Sequence, residues 1–134
     1  MSYLYLLDTN VISELIRNPQ GLIFYKIQKI GESKICTSII VAAELRYGVR
    51  NKNSPRLTKK LKLVLDAIDI LPFTPPADDC YAEIRHSLKI QGTPIGGNDL
   101  LIAAHALSLN LTVVTANIRE FSRVPNLKVE NWLS

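Results

Sequence analysis

Asp8, Glu44 and Asp99 are carboxylates standing where the surrounding apolar pattern calls for something else. Asp8 follows the apolar run Tyr3 to Leu7, where strand-like patterning stops and helical patterning begins. In open α/β sheets, ligands bind beyond the carboxyl ends of the strands, so a polar residue at that point is a site candidate. It is equally a helix N-cap, a task that Thr9 or Asn10 would also perform. Glu44 shares a helix face with Ile40, Val41, Leu45 and Gly48, the stripe that faces a core. An ionised group withdrawn from water needs a partner there, either a distant arginine or a cation, because Arg46 and Arg50 project from other faces. Asp99 heads a stripe through Ile102, Ala103, Ala106 and Leu107, as an N-cap or as a carboxylate aimed at the same mouth of the sheet. Asn117 follows the run Leu111 to Thr115 and adds an amide oxygen at a third strand end.

Three carboxylates and an amide gathered at one edge repel one another unless something positive sits among them. No lysine or arginine lies inside these motifs. A hard dication, Mg²⁺ or Mn²⁺, fits the all-oxygen donor set, takes octahedral geometry and keeps several waters. Zinc is disfavoured, since Cys36, Cys80, His86 and His105 show no ligand spacing. His86 reads as a surface residue and His105 as a helix-packing one. The two cysteines read as reduced core side chains.

The elements that must position these residues alternate. Tyr3 to Leu7, Lys34 to Thr37, Ile68 to Phe73 and Leu111 to Thr115 read as buried strands. Helical periodicity covers Val11 to Arg17, Leu22 to Ile30, Ser38 to Arg50, Pro55 to Asp66, Ala77 to Gln91 and Asp99 to Leu109. Asn18-Pro19 stops the first helix, Pro75-Pro76 opens the fifth, and Gly92 to Gly97 forms a loop before the sixth. Strands apolar on both faces and separated by helices predict an α/β fold with a mostly parallel sheet covered on both sides. At 134 residues the chain supports one core, and residues 1–134 are expected to form a single domain. Neither a membrane-length apolar stretch nor a signal-peptide pattern occurs, so a cytoplasmic location and no membrane partner are expected.

A formal net charge of +4 says little by itself, but its distribution says more. Arg46, Arg50, Lys52, Arg56, Lys59, Lys60 and Lys62 follow one another with no acid among them. This is either a solvated helix face or a stripe that contacts the phosphates of RNA or DNA.

Four segments together resemble a PIN-domain ribonuclease of the VapC toxin type, and they span most of the chain. They are Leu7-Asp8-Thr9-Asn10; Ser38 with Ala43-Glu44-Leu45-Arg46-Tyr47-Gly48; Gly97-Asn98-Asp99-Leu100-Leu101-Ile102-Ala103-Ala104; and Thr115-Ala116-Asn117-Ile118-Arg119-Glu120-Phe121. The resemblance implies a three-layer α/β/α PIN-like fold and a Mg²⁺-dependent endoribonuclease of structured RNA, with tRNA a frequent target. It also implies a homodimer, a cognate VapB-like antitoxin that neutralises the toxin, and hetero-oligomers of the two. The implied acidic site is Asp8, Glu44 and Asp99, with Thr115 and Asn117 orienting ligands or water. Many PIN nucleases have aspartate where Asn117 stands, so one charge is absent here, a trait that many toxins of this type share. A metal on Asp8 and Asp99 would polarise a phosphoryl oxygen and lower the pKa of a bound water, with Glu44 placing a water or a second ion.

With the nuclease reading in place, Arg46, Arg50, Lys52, Arg56, Lys59 and Lys60 are expected to contact RNA. Val11, Ile12, Leu15, Leu22, Ile23 and Phe24 of the first two helices supply core residues and candidates for an antitoxin groove. Two other readings compete. A receiver-type regulatory domain needs a phospho-accepting aspartate after a central strand and a lysine after a late one; Ile70-Leu71-Pro72-Phe73 and Thr115-Ala116-Asn117 supply neither. A catalytically inactive PIN-like RNA- or protein-binding module would have no use for intact Asp8, Glu44 and Asp99.

Overall fold

Five short strands build the sheet: β1 (Tyr5–Leu7), β2 (Ile35–Ser38), β3 (Asp69–Leu71), β4 (Thr112–Val114) and β5 (Val129–Glu130). The computed structural model describes residues 2–133. The strand order is β3-β2-β1-β4-β5, and every pairing is parallel, Leu6 lying between Cys36 and Val113 and Leu7 beside Val114. Receiver domains have the order 2-1-3-4-5, so this topology excludes that reading. Leu6, Leu7, Cys36, Val113 and Val114 are wholly buried, which is why the central strands are apolar without alternation.

Among the described residues seven α-helices cover the sheet: α1 (Thr9–Arg17), α2 (Leu22–Ile30), α3 (Ile39–Lys52), α4 (Pro55–Ala67), α5 (Ala77–Gln91), α6 (Gly97–Ser108) and the short α7 (Ile118–Phe121). Right-handed crossovers from β1 outward to β3 put α1 to α4 on one face, and the return to β4 and β5 puts α5 to α7 on the other. The packing agrees: α1 touches α2, α3 and α4, while α5 lies along α6. Helix α3 also reaches α6, joining the layers near the carboxyl ends of the strands. Buried apolar residues from both layers form one cluster.

Several expected limits move. The expected buried strand Ile68 to Phe73 shrinks to a three-residue, partly exposed edge strand, because Pro72 cannot donate to the ladder. Helix α1 begins at Thr9 with Asp8 as its N-cap, ahead of the expected Val11. Helix α6 begins at Gly97, so Asp99 is its third residue and not its cap. Strand β5 and helix α7 went unexpected, being two and four residues long and too short to show a period. The turn between α3 and α4 follows local chemistry. Asn53 takes the left-handed conformation that asparagine tolerates (φ 51°), Ser54 accepts from the Leu57 N–H, and Pro55 opens α4. That turn folds the basic stretch into a hairpin.

Candidate active site

Because the sheet is wholly parallel, the residues after β1, β2 and β4 emerge at one edge. Asp8 N–H still bonds the Val114 carbonyl (2.9 Å), so the carboxylate hangs directly off the end of the ladder. It is 3% exposed. One oxygen accepts from Thr9 N–H (2.8 Å) and the other from the Thr115 hydroxyl (2.7 Å). Thr115 is also fully buried and accepts from Asn117 N–H (2.9 Å). Asn10 closes this corner by accepting from Ala116 N–H (3.0 Å). Thus β1 and β4 are locked together around one carboxylate.

The other acids come from helices. Glu44 is half-buried on α3, and its two oxygens accept from the Thr9 hydroxyl (2.6 Å) and the Asn98 amide (3.0 Å). Asp99, in the first turn of α6, accepts from the Asn117 amide (3.1 Å). That amide also donates to Glu120 (2.9 Å), which accepts from Gly96 N–H as well (3.2 Å). Glu120 is a fourth carboxylate that the sequence reading passed over. Its signal was available: three residues after Asn117, at a helix start, the chain turns back on itself. Asp8, Thr9, Asn10, Ser13, Arg17, Glu44, Asp99 and Asn117 line a cleft of about 400 Å³.

Electrostatically the cleft is rich in acid. The only ion pairs among the described residues are Arg17 with Glu14 and Lys62 with Asp66. Arg17 lines the cleft but is paired with Glu14, and the charge of Arg123 favours ionised Glu120, yet none of the four carboxylates is in a salt bridge. Burial, then the charges of Asp8, Glu120 and Glu44, raise the Asp99 carboxyl to about 6 against the opposing bond from Asn117. Burial also raises the Asp8 carboxyl, although Thr115 and Thr9 favour its ionised form. Glu120 lies below its ordinary value because Asn117 and Gly96 donate to it.

Asp8, Glu44, Asp99, Thr115 and Asn117 therefore meet at one edge. Among the described residues, however, no three His, Cys, Asp or Glu side chains form a ready-made metal cage. Both oxygens of Glu44, the third member of the expected trio, are engaged by Thr9 and Asn98. A magnesium site does not require closure, since that ion is held by one or two carboxylates, several waters and substrate phosphate oxygens. The oxygen-only donor set and its excess negative charge fit such an ion. His86 is exposed. His105 is buried, its Nδ1 2.7 Å from the Ser38 hydroxyl that caps α3, so it pins α6 to α3 away from the cleft.

None of the six basic residues expected to contact RNA lines the cleft itself. Arg46, Arg50 and Lys52 are exposed on α3, as are Arg56 and Lys59 on α4, while Lys60 is half-buried. Lys60 borders a second recess of about 450 Å³ between α1, α2 and α4, lined by apolar side chains that include Leu15, Ile16, Phe24, Leu63 and Val64. Of the six residues expected to include an antitoxin groove, Leu15 and Phe24 line this recess and Leu22 is half exposed beside it in sequence. Val11, Ile12 and Ile23 do not line it: they are buried in the core and present nothing to a partner.

A wholly parallel 3-2-1-4-5 sheet with four acids at its carboxyl edge defines a PIN-like α/β nuclease scaffold. The PIN domain family profile matches residues 5–127. The chain is 40% identical over 131 residues to Ribonuclease VapC2 of Rickettsia felis, covering 96% of this chain and 98% of the relative. It is 34% identical over 129 residues to the tRNA(fMet)-specific endonuclease VapC of Shigella flexneri, covering 96% and 97%. The crystal structure of VapBC2 from Rickettsia felis bound to a DNA fragment from their promoter contains a chain that superimposes with a TM-score of 0.86. That match has 37% identity and covers 98% of this chain and 99% of the other. The chain belongs to the PIN-domain VapC family of ribonuclease toxins, the toxin half of toxin-antitoxin systems.

Proposed function

We propose that this ribonuclease is a divalent-cation-dependent endonuclease of structured RNA, tRNA first among its substrates, and that a VapB-like antitoxin occupies the apolar recess. The observation that carries the catalytic reading is the set of four carboxylates at the sheet edge, none of them in a salt bridge to an arginine or lysine. Asp8 and Asp99 would hold Mg²⁺ or Mn²⁺, with Glu44 beside them in the same cleft to place a water. When bound, the ion supplies a Lewis acid for a phosphoryl oxygen and lowers the pKa of a water.

The chain's own groups do the rest. Thr115 donates to Asp8 and fixes the direction of its free lone pairs. Asn117 holds Asp99 and Glu120 at a set separation with one amide nitrogen. Glu44, steadied by Thr9 and Asn98, accepts a proton from a water placed beside the phosphodiester. The tRNA assignment is supported by the name of the Shigella relative, and the antitoxin assignment by the VapBC2 complex together with the apolar lining of the recess. The protein works as a homodimer in the cytoplasm, and it forms larger assemblies with the antitoxin; no described helix is long and apolar enough to cross a membrane.

The test is to express wild type and Asp8→Asn in cells and map the RNA ends that appear only with the wild type. New ends within tRNA are expected; identical ends from both proteins would overturn the assignment. Light scattering of the isolated chain and of its antitoxin complex checks the assembly states.

A further inference from the structure

Gly48 sits in the middle of α3, one turn beyond Glu44, where glycine weakens a helix relative to alanine. Nothing inside the molecule accounts for it. Its backbone is not in the left-handed region, and a Cβ built there meets no atom within 4 Å. The missing side chain leaves open a groove of about 310 Å³ between α1, α3 and α4, at the small end of ligand-sized clefts of roughly 300–1,000 Å³. This groove and the acidic cleft share Thr9, Ser13, Arg17 and Glu44, so one runs into the other.

Resting on the ribonuclease reading, we infer that this groove seats the nucleotide next to the scissile phosphodiester, with its sugar and base on Gly48 and the apolar floor and its phosphate between Arg17 and Lys52. The lining has both halves of that chemistry. Buried Leu45 and Leu61 and half-exposed Val49 and Leu57 give it an apolar floor. Arg17 and Lys52, both exposed, stand on its rim. Arg17 is shared with Glu14 on its own helix, a 3.0 Å pair open to solvent that is worth little and easily exchanged for a phosphate. The recess between α1, α2 and α4 differs in having a longer lining, apolar apart from Gln28, Glu32 and Lys60, and in sharing no residue with the acidic cleft. A polymer bearing one negative charge per residue suits the groove, and an amphipathic protein helix suits the recess. Within the basic stretch, Lys52 lines this groove beside the acids, whereas Lys60 borders the apolar recess.

Total tRNA is the probe, with cleavage measured by wild type, Gly48→Ala, Gly48→Leu and Lys52→Ala, and binding measured in an Asp99→Asn background. Gly48→Ala is expected to raise Tm. Gly48→Leu is expected to keep at least the wild-type Tm and raise KM about tenfold with kcat little changed, the signature of lost uniform binding. Lys52→Ala is expected to weaken binding and lower the salt slope by about one. A Gly48→Leu protein that folds and cleaves with wild-type KM overturns the groove, as does one that keeps its RNA affinity and loses antitoxin binding. Should Gly48→Leu not fold, an unchanged salt slope in Lys52→Ala overturns it. Wild type that binds tRNA yet leaves it intact, with and without Mg²⁺, refutes the proposed substrate instead, a result distinct from any of these.

Discussion

The acidic cleft and the apolar recess are similar in volume, about 400 and 450 Å³, and opposite in construction. In the cleft every carboxylate is held by at least one donor from a different segment, so position is set by hydrogen bonds that join the residues after β1 and β4 with α1, α3, α7 and the start of α6. In the recess, position is set by packing alone, and side chains such as Leu63, 66% exposed, stay in water with no partner. One region stores like charge and the other stores uncovered apolar surface. Each is costly alone and is relieved by a different occupant, so the two are expected to fail independently.

The sharpest test of that independence pairs one variant from each region. Asp99→Asn is expected to reduce tRNA cleavage by more than the roughly 10–100-fold that loss of an outer-shell partner of a metal ligand costs, while antitoxin affinity is unchanged. Leu63→Glu, a change at an exposed position, is expected to weaken antitoxin binding by about 2 kcal/mol or more and to leave cleavage by the free toxin intact. Full cleavage by Asp99→Asn breaks the first half of the comparison; wild-type antitoxin affinity of Leu63→Glu breaks the second.

A second variant separates holding a carboxylate from being one. Thr115→Val deletes the donor to Asp8 and the acceptor of Asn117 N–H in a fully buried place. Cleavage is expected to fall roughly 10–100-fold. Stability is expected to fall by about 1–3 kcal/mol, read by denaturant titration. An unchanged rate would mean that Asp8 keeps its aim without Thr115.

How much of this was legible in the sequence follows from the same contrast. Asp8, Glu44 and Asp99 stand out because a carboxylate breaks an apolar period, and the ends of parallel strands bring such breaks together. Glu120 breaks no period, since α7 is four residues long, and it escaped notice although it lies in the same segment as Asn117. Strand β5 was missed because Glu130 and Lys128 flank a single Val129 and no local pattern marks a sheet edge that only tertiary pairing creates. The position of Asp99 within α6 was misjudged because Gly96 caps by backbone conformation and not by a side chain. The recess was the least legible. Its lining comes from three helices, and whether Leu15 or Val11 faces it depends on packing that one helical stripe does not encode.

Ligand-linked stability offers a smaller, colder probe of the charge stored in the cleft. A ligand that binds only the native state stabilises it by about 2.7 kcal/mol at a hundred times its Kd. Mn²⁺ or Mg²⁺ is therefore expected to raise the Tm of wild type, with Asp8→Asn and Asp99→Asn showing little or no rise. An equal rise in all three would place the ion away from Asp8 and Asp99.

The smallest effect expected is in the pH dependence without added metal, and its sign follows first from the burial of Asp99 and then from its acidic neighbours. The folded carboxyl titrates at about 6, above its ordinary 3.8, so the native state holds this proton more tightly than the unfolded chain does. Asp99 therefore contributes stability below pH 3.8 that is lost as pH rises through about 6, where ionisation sets it against Asp8, Glu120 and Glu44. Asp8, raised in the same sense by burial, adds to the slope, while Glu120 and Glu14, lowered by their donors, oppose it. The informative quantity is thus the Tm of Asp99→Asn minus that of wild type, which cancels those shared contributions. It is expected to grow between pH 4 and 7, because asparagine cannot ionise yet still accepts from Asn117, and to shrink or reverse when Mg²⁺ is present. Solvent reaches Asp99 and keeps the change small. A difference that stays flat across that interval would mean that neither burial nor the neighbouring acids disfavour the ionised carboxyl, and the contrast with the apolar recess would lose its electrostatic half.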